Sequence, residues 1–214
     1  MIGPVRILLV DDHAVVRSGY HRFLERHDDL RVVAEAADAD EGYALFGLHQ
    51  PDVSVVDISM AGVGGIELIR RMLAREPAAR ALAFSMHDDA QFVSRALQVG
   101  ARGYVTKTSQ PETLVEAVRS VHAGGLYLSP DVAQRRHNAL PGSDDPLTQL
   151  SAKEFEVFRW FAEGHSSQDI AQALNLSRKT VANYQTQIKD KLGVSTSAAL
   201  VHIALRHGVV KPPG

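Results

Sequence analysis

The 214-residue sequence predicts a parallel α/β domain followed by a smaller all-helical one. Three observations carry this. Residues 1–125 alternate strand-like and helix-like stretches five times, residues 126–146 break that rhythm, and from Leu147 onward the pattern is helical with no strand alternation. Strict strand–helix alternation argues a parallel sheet with helices on both faces.

The elements follow in order. "VRILLV" (Val5–Val10) precedes an amphipathic stretch from Val15 to about Arg26. "LRVVAEA" (Leu30–Ala36) precedes "DADEGYALFGLH", with Asp38 or Asp40 as helix N-cap. "DVSVVDI" precedes "GIELIRRMLAREP", which Pro77 stops, and "ALAFS" (Ala81–Ser85) precedes "AQFVSRALQVG", with Gly100 at its end. "GYVTK" (Gly103–Lys107) precedes "PETLVEAVRSVHAGG", with Pro111 in the first turn and Gly124 as a stop. Residues 126–146, with one short helical stretch after Ser129 and then Pro141, Gly142, Ser143 and Pro146, have linker composition. The expected domains are therefore 1–125, a linker over 126–146, and 147–214.

Composition narrows the function classes. The 45% apolar and 22% charged content is that of a soluble globular protein, and the absence of cysteine removes disulfides, thiolate metal sites and thiol catalysis. No apolar run approaches the roughly 18 residues of a membrane span and no signal peptide precedes "RILLV", so the expectation is a cytoplasmic protein with no membrane partner. Residues 1–125 carry 13 Lys/Arg against 17 Asp/Glu (−4), and residues 126–214 carry 10 against 8 (+2), so the two halves face different company.

Asp57 is the residue that needs explaining. "VVDISMAG" sets it among Val55, Val56, Ile58 and Met60, and an unpaired charge inside a sheet costs several kcal/mol or more. Either the strand ends there and the carboxylate emerges into a loop, or other groups hold it. Ligands of open parallel sheets bind beyond the carboxyl ends of the strands. Asp11 and Asp12 follow strand one, Asp57 ends strand three, Ser85 strand four and Lys107 strand five. Two carboxylates 4 Å apart repel by roughly 4 kcal/mol at an effective dielectric of about 20. A hard divalent cation relieves this, and Mg²⁺ takes one or two carboxylates, waters and a phosphate. Asp57 then becomes a candidate nucleophile for phosphoryl transfer. Taken singly, an Asp-Asp pair is usually a loop or cap, and Ser85 and Lys107 are ordinary loop residues; their coincidence at successive strand ends gives the pattern its weight. His13 and His87 flank the rim and read as loop residues, because an oxygen-rich site favours Mg²⁺ over imidazole-binding metals.

"RILLVDDH", "DISMAG", "FSMHDD" and "ARGYVTK" together resemble the receiver domain of bacterial two-component response regulators, over residues 4–125. The resemblance implies a flavodoxin-like five-stranded parallel sheet, Asp57 as phosphoacceptor, and Asp11, Asp12 and Asp57 at a Mg²⁺ site, with the backbone carbonyl of Ser59 as a further ligand. It places Ser85 and Lys107 at the phosphoryl-binding positions and Tyr104 at the aromatic switch position, whose ring turns inward once Ser85 engages the phosphoryl group, and Ser59 and His87 where side chains tune autodephosphorylation. Three residues depart from the pattern. Ala61 stands where proline is usual, Gly64 where an acid is common, and Thr108 where a proline preceded by a cis peptide is frequent. A cis bond before a non-proline residue costs about 2.5–4 kcal/mol, which leaves the geometry there open.

In the second half, Ser151 and Glu154 make a capping-box signature. Phe155, Val157, Phe158, Trp160 and Phe161 crowd the helix that follows and read as core. Ser166 or Ser167 caps a short helix ending near Leu174, "NLS" is a tight turn, and Ser177 caps a longer helix to about Leu192. Ile170, Leu174, Leu176, Val181, Ile188 and Leu192 would hold the pair as a helix-turn-helix. Residues 178–191 hold Arg178, Lys179, Lys189 and Lys191 against Asp190, a balance of +3 suited to phosphate. "LSAKEFEVF", "GHSSQDIA", "LNLSRKTVANY" and "KLGV" resemble the LuxR-type helix-turn-helix of the NarL/FixJ family over about residues 147–210. The resemblance places Ala182, Asn183 and Thr186 at the major groove and Ser177, Arg178, Lys179, Thr180 and Lys189 near it. The family commonly has lysine at 182 and histidine at 184, where this chain has Ala182 and Tyr184. Asn183 suits adenine and the methyls of Ala182 and Thr186 suit thymine, so a site rich in A·T contacts is expected. The last helix, about Thr196–His207, carries Leu200, Val201, Ile203 and Ala204, part closing the core and part pairing two domains on DNA.

The whole chain is thereby expected to be a DNA-binding transcriptional response regulator. A sensor histidine kinase would phosphorylate Asp57 with Mg²⁺ as cofactor. The chain would bind DNA as a homodimer, with RNA polymerase a further candidate partner, and would be no enzyme beyond handling its own phosphoryl group. The alternative is a phosphorylation-independent DNA binder that uses the receiver as a dimerisation module. Enzymatic readings fit poorly: a flavin phosphate would meet Asp11 and Asp12, and a haloacid-dehalogenase-type phosphatase wants an Asp where Ser59 stands.

Overall fold

The computed structural model describes residues 3–60, 64–88, 90–138, 146–207 and 209–210. The chain divides into two compact units, Met1–Ala139 and Leu140–Gly214.

The first unit is a parallel sheet of order β2-β1-β3-β4-β5-β6. Its strands are β1 (Val5–Val10), β2 (Leu30–Ala36), β3 (Val53–Asp57), β4 (Ala81–Ser85), β5 (Gly103–Thr106) and β6 (Tyr127–Leu128). The helices are α1 (Ala14–Leu24), α2 (Ala39–His49), α3 (Gly65–Arg75), α4 (Ala90–Gln98), α5 (Pro111–His122) and α6 (Pro130–Asn138). Every residue of β3, β4 and β5 is buried, as expected for strands covered on both faces. Asp38 caps α2 by accepting from the Asp40 and Glu41 N–H groups, and Pro111 opens α5, where its missing N–H leaves no bond unmade.

The sheet has six strands, which corrects the expected five. Tyr127–Leu128 pairs in parallel with Gly103–Tyr104, and Gly103 permits the approach: a Cβ there would lie 2.8 Å from the Tyr127 carbonyl oxygen. Two residues between Gly125 and Pro130 offer no periodicity to read, so the sequence showed only a linker. Residues 127–138 form β6 and α6 and cluster with the first unit.

Register sets the rim. Val10 pairs with Val56, Asp57 with Phe84, and Ser85 with Thr106. Asp11, Asp57, Ser85 and Lys107 therefore leave the sheet side by side at the carboxyl ends of four adjacent strands. Gly65 lets α3 start close against β3, since a Cβ there would lie 2.0 Å from the Asp57 carbonyl oxygen.

The second unit is helical: a 3-10 turn at Pro146–Gln149, then α7 (Ala152–Ala162), α8 (Ser167–Ala173), α9 (Arg178–Leu192) and α10 (Ser197–Arg206). Phe155, Val157, Phe158, Ile170, Val181, Ile188, Leu200 and Ala204 form its buried core, with Trp160 and Phe161 at the edge. The α8–α9 turn passes through Asn175 at φ 50°, a left-handed conformation that asparagine tolerates, and the Leu176 N–H donates to the Ala171 carbonyl. On α10, Leu200 and Ala204 close the core, while Val201 and Ile203 remain partly exposed.

Candidate functional site

Asp57 is fully buried, and it is held rather than released into a loop. Lys107, itself only 5% exposed, places its Nζ 2.7 Å from Asp57 Oδ2 and 2.7 Å from Asp11 Oδ2. The other Asp57 oxygen accepts the Ser59 N–H at 2.8 Å, and Asp11 Oδ1 accepts the His13 N–H at 2.8 Å. Arg17, on the first helix, donates to the Asp11 carbonyl and lies 3.5 Å from Glu35. Burial pushes the Asp57 carboxyl above its ordinary value, with Lys107 and the Ser59 N–H opposing. For Lys107, burial favours the neutral amine, but Asp57 and Asp11 together hold its pKa above the ordinary value. The site thus keeps an ammonium wedged between two carboxylates.

Ligand atoms of Asp11, Asp12, His13 and Asp57 all lie within 4.8 Å of one another. Three carboxylates against one ammonium leave an excess of two negative charges, and the oxygen-rich donor set suits a hard divalent cation such as Mg²⁺. His13, set aside in the sequence as a loop residue, has Nδ1 2.8 Å from Asp12 Oδ1 and belongs to this cluster. It is two-thirds exposed, and no periodicity in the sequence marks it.

The opposite flank of Asp57 carries hydroxyls. Ser85 is fully buried, with Oγ 3.3 Å from Ser59 Oγ and accepting the His87 N–H at 3.0 Å. The Lys107 N–H donates to the Ser85 carbonyl at 2.7 Å, tying the fourth and fifth strand ends together. Tyr104 is fully buried, and its hydroxyl donates to the His87 carbonyl at 2.7 Å. The His87 ring stacks on Phe92 with centroids 4.7 Å apart. No cis peptide occurs among the described residues, so Lys107–Thr108 is trans. Ala61 lies outside the described residues. All predicted first-half residues thus gather at one rim.

In the second unit, Ser177 caps α9 by accepting the Thr180 N–H, and the two hydroxyls lie 2.8 Å apart. Ser177, Arg178, Lys179, Ala182, Asn183 and Thr186 are exposed, and Thr180 and Lys189 are half-buried. Thr186 Oγ1 donates to the Ala182 carbonyl at 3.2 Å. Lys191 corrects the sequence-based footprint. Its Nζ lies 2.6 Å from Glu154 Oε2, which also accepts the Ser151 N–H at 2.6 Å in the capping box. With Lys191 paired to a buried carboxylate, the charge available on α9 is that of Arg178, Lys179 and Lys189 against Asp190, +2 rather than +3. Sequence spacing missed this pair because its partners lie 37 residues apart.

Two family profiles match the chain: "Response regulator receiver domain" over residues 7–119 and "Bacterial regulatory proteins, luxR family" over residues 148–204. The response regulator GacA of Pseudomonas protegens is 36% identical over 208 residues, 96% of this chain and 98% of its own. The response regulator UvrY of Escherichia coli is 32% identical over 96% of this chain and 95% of its own. Among solved structures, RcsB of Salmonella enterica serovar Typhimurium, bound to a promoter in the presence of a phosphomimetic, aligns with a TM-score of 0.65 at 28% identity. That alignment covers 93% of this chain and 97% of the RcsB chain.

Proposed function

Because the chain belongs to the LuxR-type two-component response regulators, with a receiver domain and a helix-turn-helix DNA-binding domain, we propose that phosphorylation of Asp57 switches its binding to DNA. The observation that carries the reading is Lys107 bridging buried Asp57 and Asp11 at 2.7 Å, with buried Ser85 beside them and Asp12 at the exposed edge. A carboxylate oxygen of Asp57 attacks the donor phosphorus and a P–O bond forms. The donor's bond to phosphorus breaks, P–N for a kinase phosphohistidine or P–O for acetyl phosphate, and its electron pair leaves with the imidazole or acetate. Asp11, Asp12 and Asp57 would hold Mg²⁺, with Ser59 adding its carbonyl, and the ion would offset negative charge on the phosphoryl oxygens. Lys107 and Ser85 then bind phosphoryl oxygens, Tyr104, whose buried hydroxyl rests on the His87 carbonyl, repacks as the Ser85 loop moves, and Ser59 and His87 govern how water reaches the acyl phosphate.

In the second unit, Asn183 reads an adenine edge, and Ala182 and Thr186 touch thymine methyls. Ser177, Arg178, Lys179, Thr180 and Lys189 hold the phosphate backbone. The protein acts in the cytoplasm, as a homodimer on two half-sites, with a sensor histidine kinase upstream and RNA polymerase a candidate contact.

The test is to incubate the purified chain with acetyl phosphate and Mg²⁺ and weigh it intact. An added mass of about 80 Da that requires both Mg²⁺ and Asp57 is expected. A folded protein that gains no mass, beside a receiver that does, would support the phosphorylation-independent alternative.

A further inference from the structure

Helix α6 is fastened to both flanks of the Asp57 rim. Its first-turn residue Asp131 accepts the Thr106 hydroxyl at 2.7 Å and the Ser109 hydroxyl at 3.2 Å. Those two hydroxyls lie 2.8 Å apart and bracket Lys107 in the chain. One helical turn later, Arg135 pairs with Asp88 at 2.5 Å. Asp88 follows His87, whose carbonyl accepts the Tyr104 hydroxyl and whose N–H donates to Ser85. Positions i and i+4 share a helix face, so Asp131 and Arg135 reach the two loops together. Ser129, just before the helix, donates its N–H to the Tyr104 carbonyl at 2.9 Å, and Val132 is buried. The bonds form a loop around the site: Lys107, Thr106, Asp131, Arg135, Asp88, His87 and back to Ser85. Helix α6 is also the last described element of the first unit, and the chain passes from it toward the second.

We propose that α6 is a latch that senses the occupancy of Asp57, clamped while the carboxylate is free and released when a phosphoryl group occupies it. The proposal rests on the reading of Asp57 as phosphoacceptor. A phosphoryl group adds acceptor oxygens beyond the present carboxylate, and Lys107 and Ser85 must re-form their bonds to those oxygens. The Lys107 N–H to Ser85 carbonyl bond makes the two loops move together. Thr106 is buried, with its hydroxyl held in a short bond, so it has no solvent to turn to. A shift of about 1 Å takes a 2.7 Å hydrogen bond out of range. The Arg135–Asp88 pair is more exposed than Thr106 and is the weaker clamp. Coupling of this kind is reciprocal, so loosening α6 must also favour the phosphorylated form.

Hydrogen exchange read by mass spectrometry on the full chain tests this, with intact mass giving Asp57 occupancy in the same samples. Amides of residues 132–138 should exchange about tenfold faster once Asp57 is occupied, while those of β1 and β3 do not change. Asp131→Asn should produce the faster exchange with no phosphoryl donor present and should raise the ratio of labelled to unlabelled Asp57 at a fixed acetyl phosphate concentration about fivefold. Thr106→Val, which keeps the side-chain shape, should act in the same direction if Asp131→Asn fails to fold. Full occupancy with unchanged exchange at α6 overturns the latch and leaves the phosphoacceptor reading intact. No mass gain at Asp57 overturns both.

Discussion

The receiver rim and the recognition helix solve opposite problems with the same kinds of residue. At the rim, Asp57 is fully buried and Lys107 almost so, and each charge is met by another within 2.7 Å. On α9, Lys179, Ala182, Asn183 and Thr186 are exposed, whereas Lys191 turns toward the protein and pairs with Glu154. A buried charge must be answered by the fold itself, so its chemistry is written in the geometry. An exposed reading face defers its partners to the ligand. Under the proposed function, the first region holds its phosphoryl-binding groups in a fixed geometry, whereas the second leaves the groups it would offer to DNA exposed.

The sharpest way to break this comparison is to remove the rim's ammonium. Lys107→Ala leaves Asp11 and Asp57 facing each other with no counter-charge, and should destabilise the receiver by about 3 kcal/mol in urea unfolding. Mg²⁺ should restore much of that loss, and more than it adds to the unaltered protein. Asn183→Ala, by contrast, should move stability by less than about 0.5 kcal/mol. Its expected effect is on the operator: about 2 kcal/mol less discrimination at one A·T pair, measured by binding to a set of single-base variants. Equal affinity losses across all variants would assign Asn183 to the phosphates instead.

The same contrast explains what the sequence could show. The alternation of apolar runs with amphipathic stretches marks β1 to β5, and because register follows from parallel pairing, the residues just past each run fall at one rim. That is why Asp11, Asp57, Ser85 and Lys107 were legible together. The two-residue β6 carries no period, and its position depends on Gly103 allowing a close backbone approach. Asp131 was equally silent, because its partners Thr106 and Ser109 are more than 20 residues away and look like ordinary loop hydroxyls. In the second unit, the apolar positions of α7 to α9 were readable from their spacing. The pairing of Lys191 with Glu154 was not, since a lysine near a helix C-terminus reads as a surface charge.

That pairing predicts a smaller, pH-dependent effect. Burial alone would raise the Glu154 carboxyl, but Lys191 and Ser151 outweigh it and hold the pKa below its ordinary value. A depressed carboxylate stabilises the fold above its unfolded pKa, near 4.3, and that contribution disappears as pH falls through the lower folded value. Glu154→Gln should therefore cost about 1 kcal/mol near neutrality, the figure kept small because Lys191 is 40% exposed, and the difference should close in acid. A gap that stays constant from pH 7 to pH 3 would mean that shape rather than charge holds the cap.

The smallest effect separates two lysines on one helix. Lys179 is exposed near the N-terminus of α9 with no ion-pair partner among the described residues, whereas the ammonium of Lys191 is bonded to Glu154. Removing one lysine that neutralises a DNA phosphate should reduce the slope of log affinity against log salt by about 0.9. Lys179→Ala should show that reduction with thermal stability unchanged. Lys191→Ala removes the same formal charge but should leave the slope nearly intact and lower the melting temperature of the DNA-binding unit, because Glu154 then stays buried without its cation. Net charge alone predicts identical salt slopes for the two variants. If both slopes fall equally, Lys191 leaves Glu154 when DNA arrives, and the +2 face reverts to +3 in the complex.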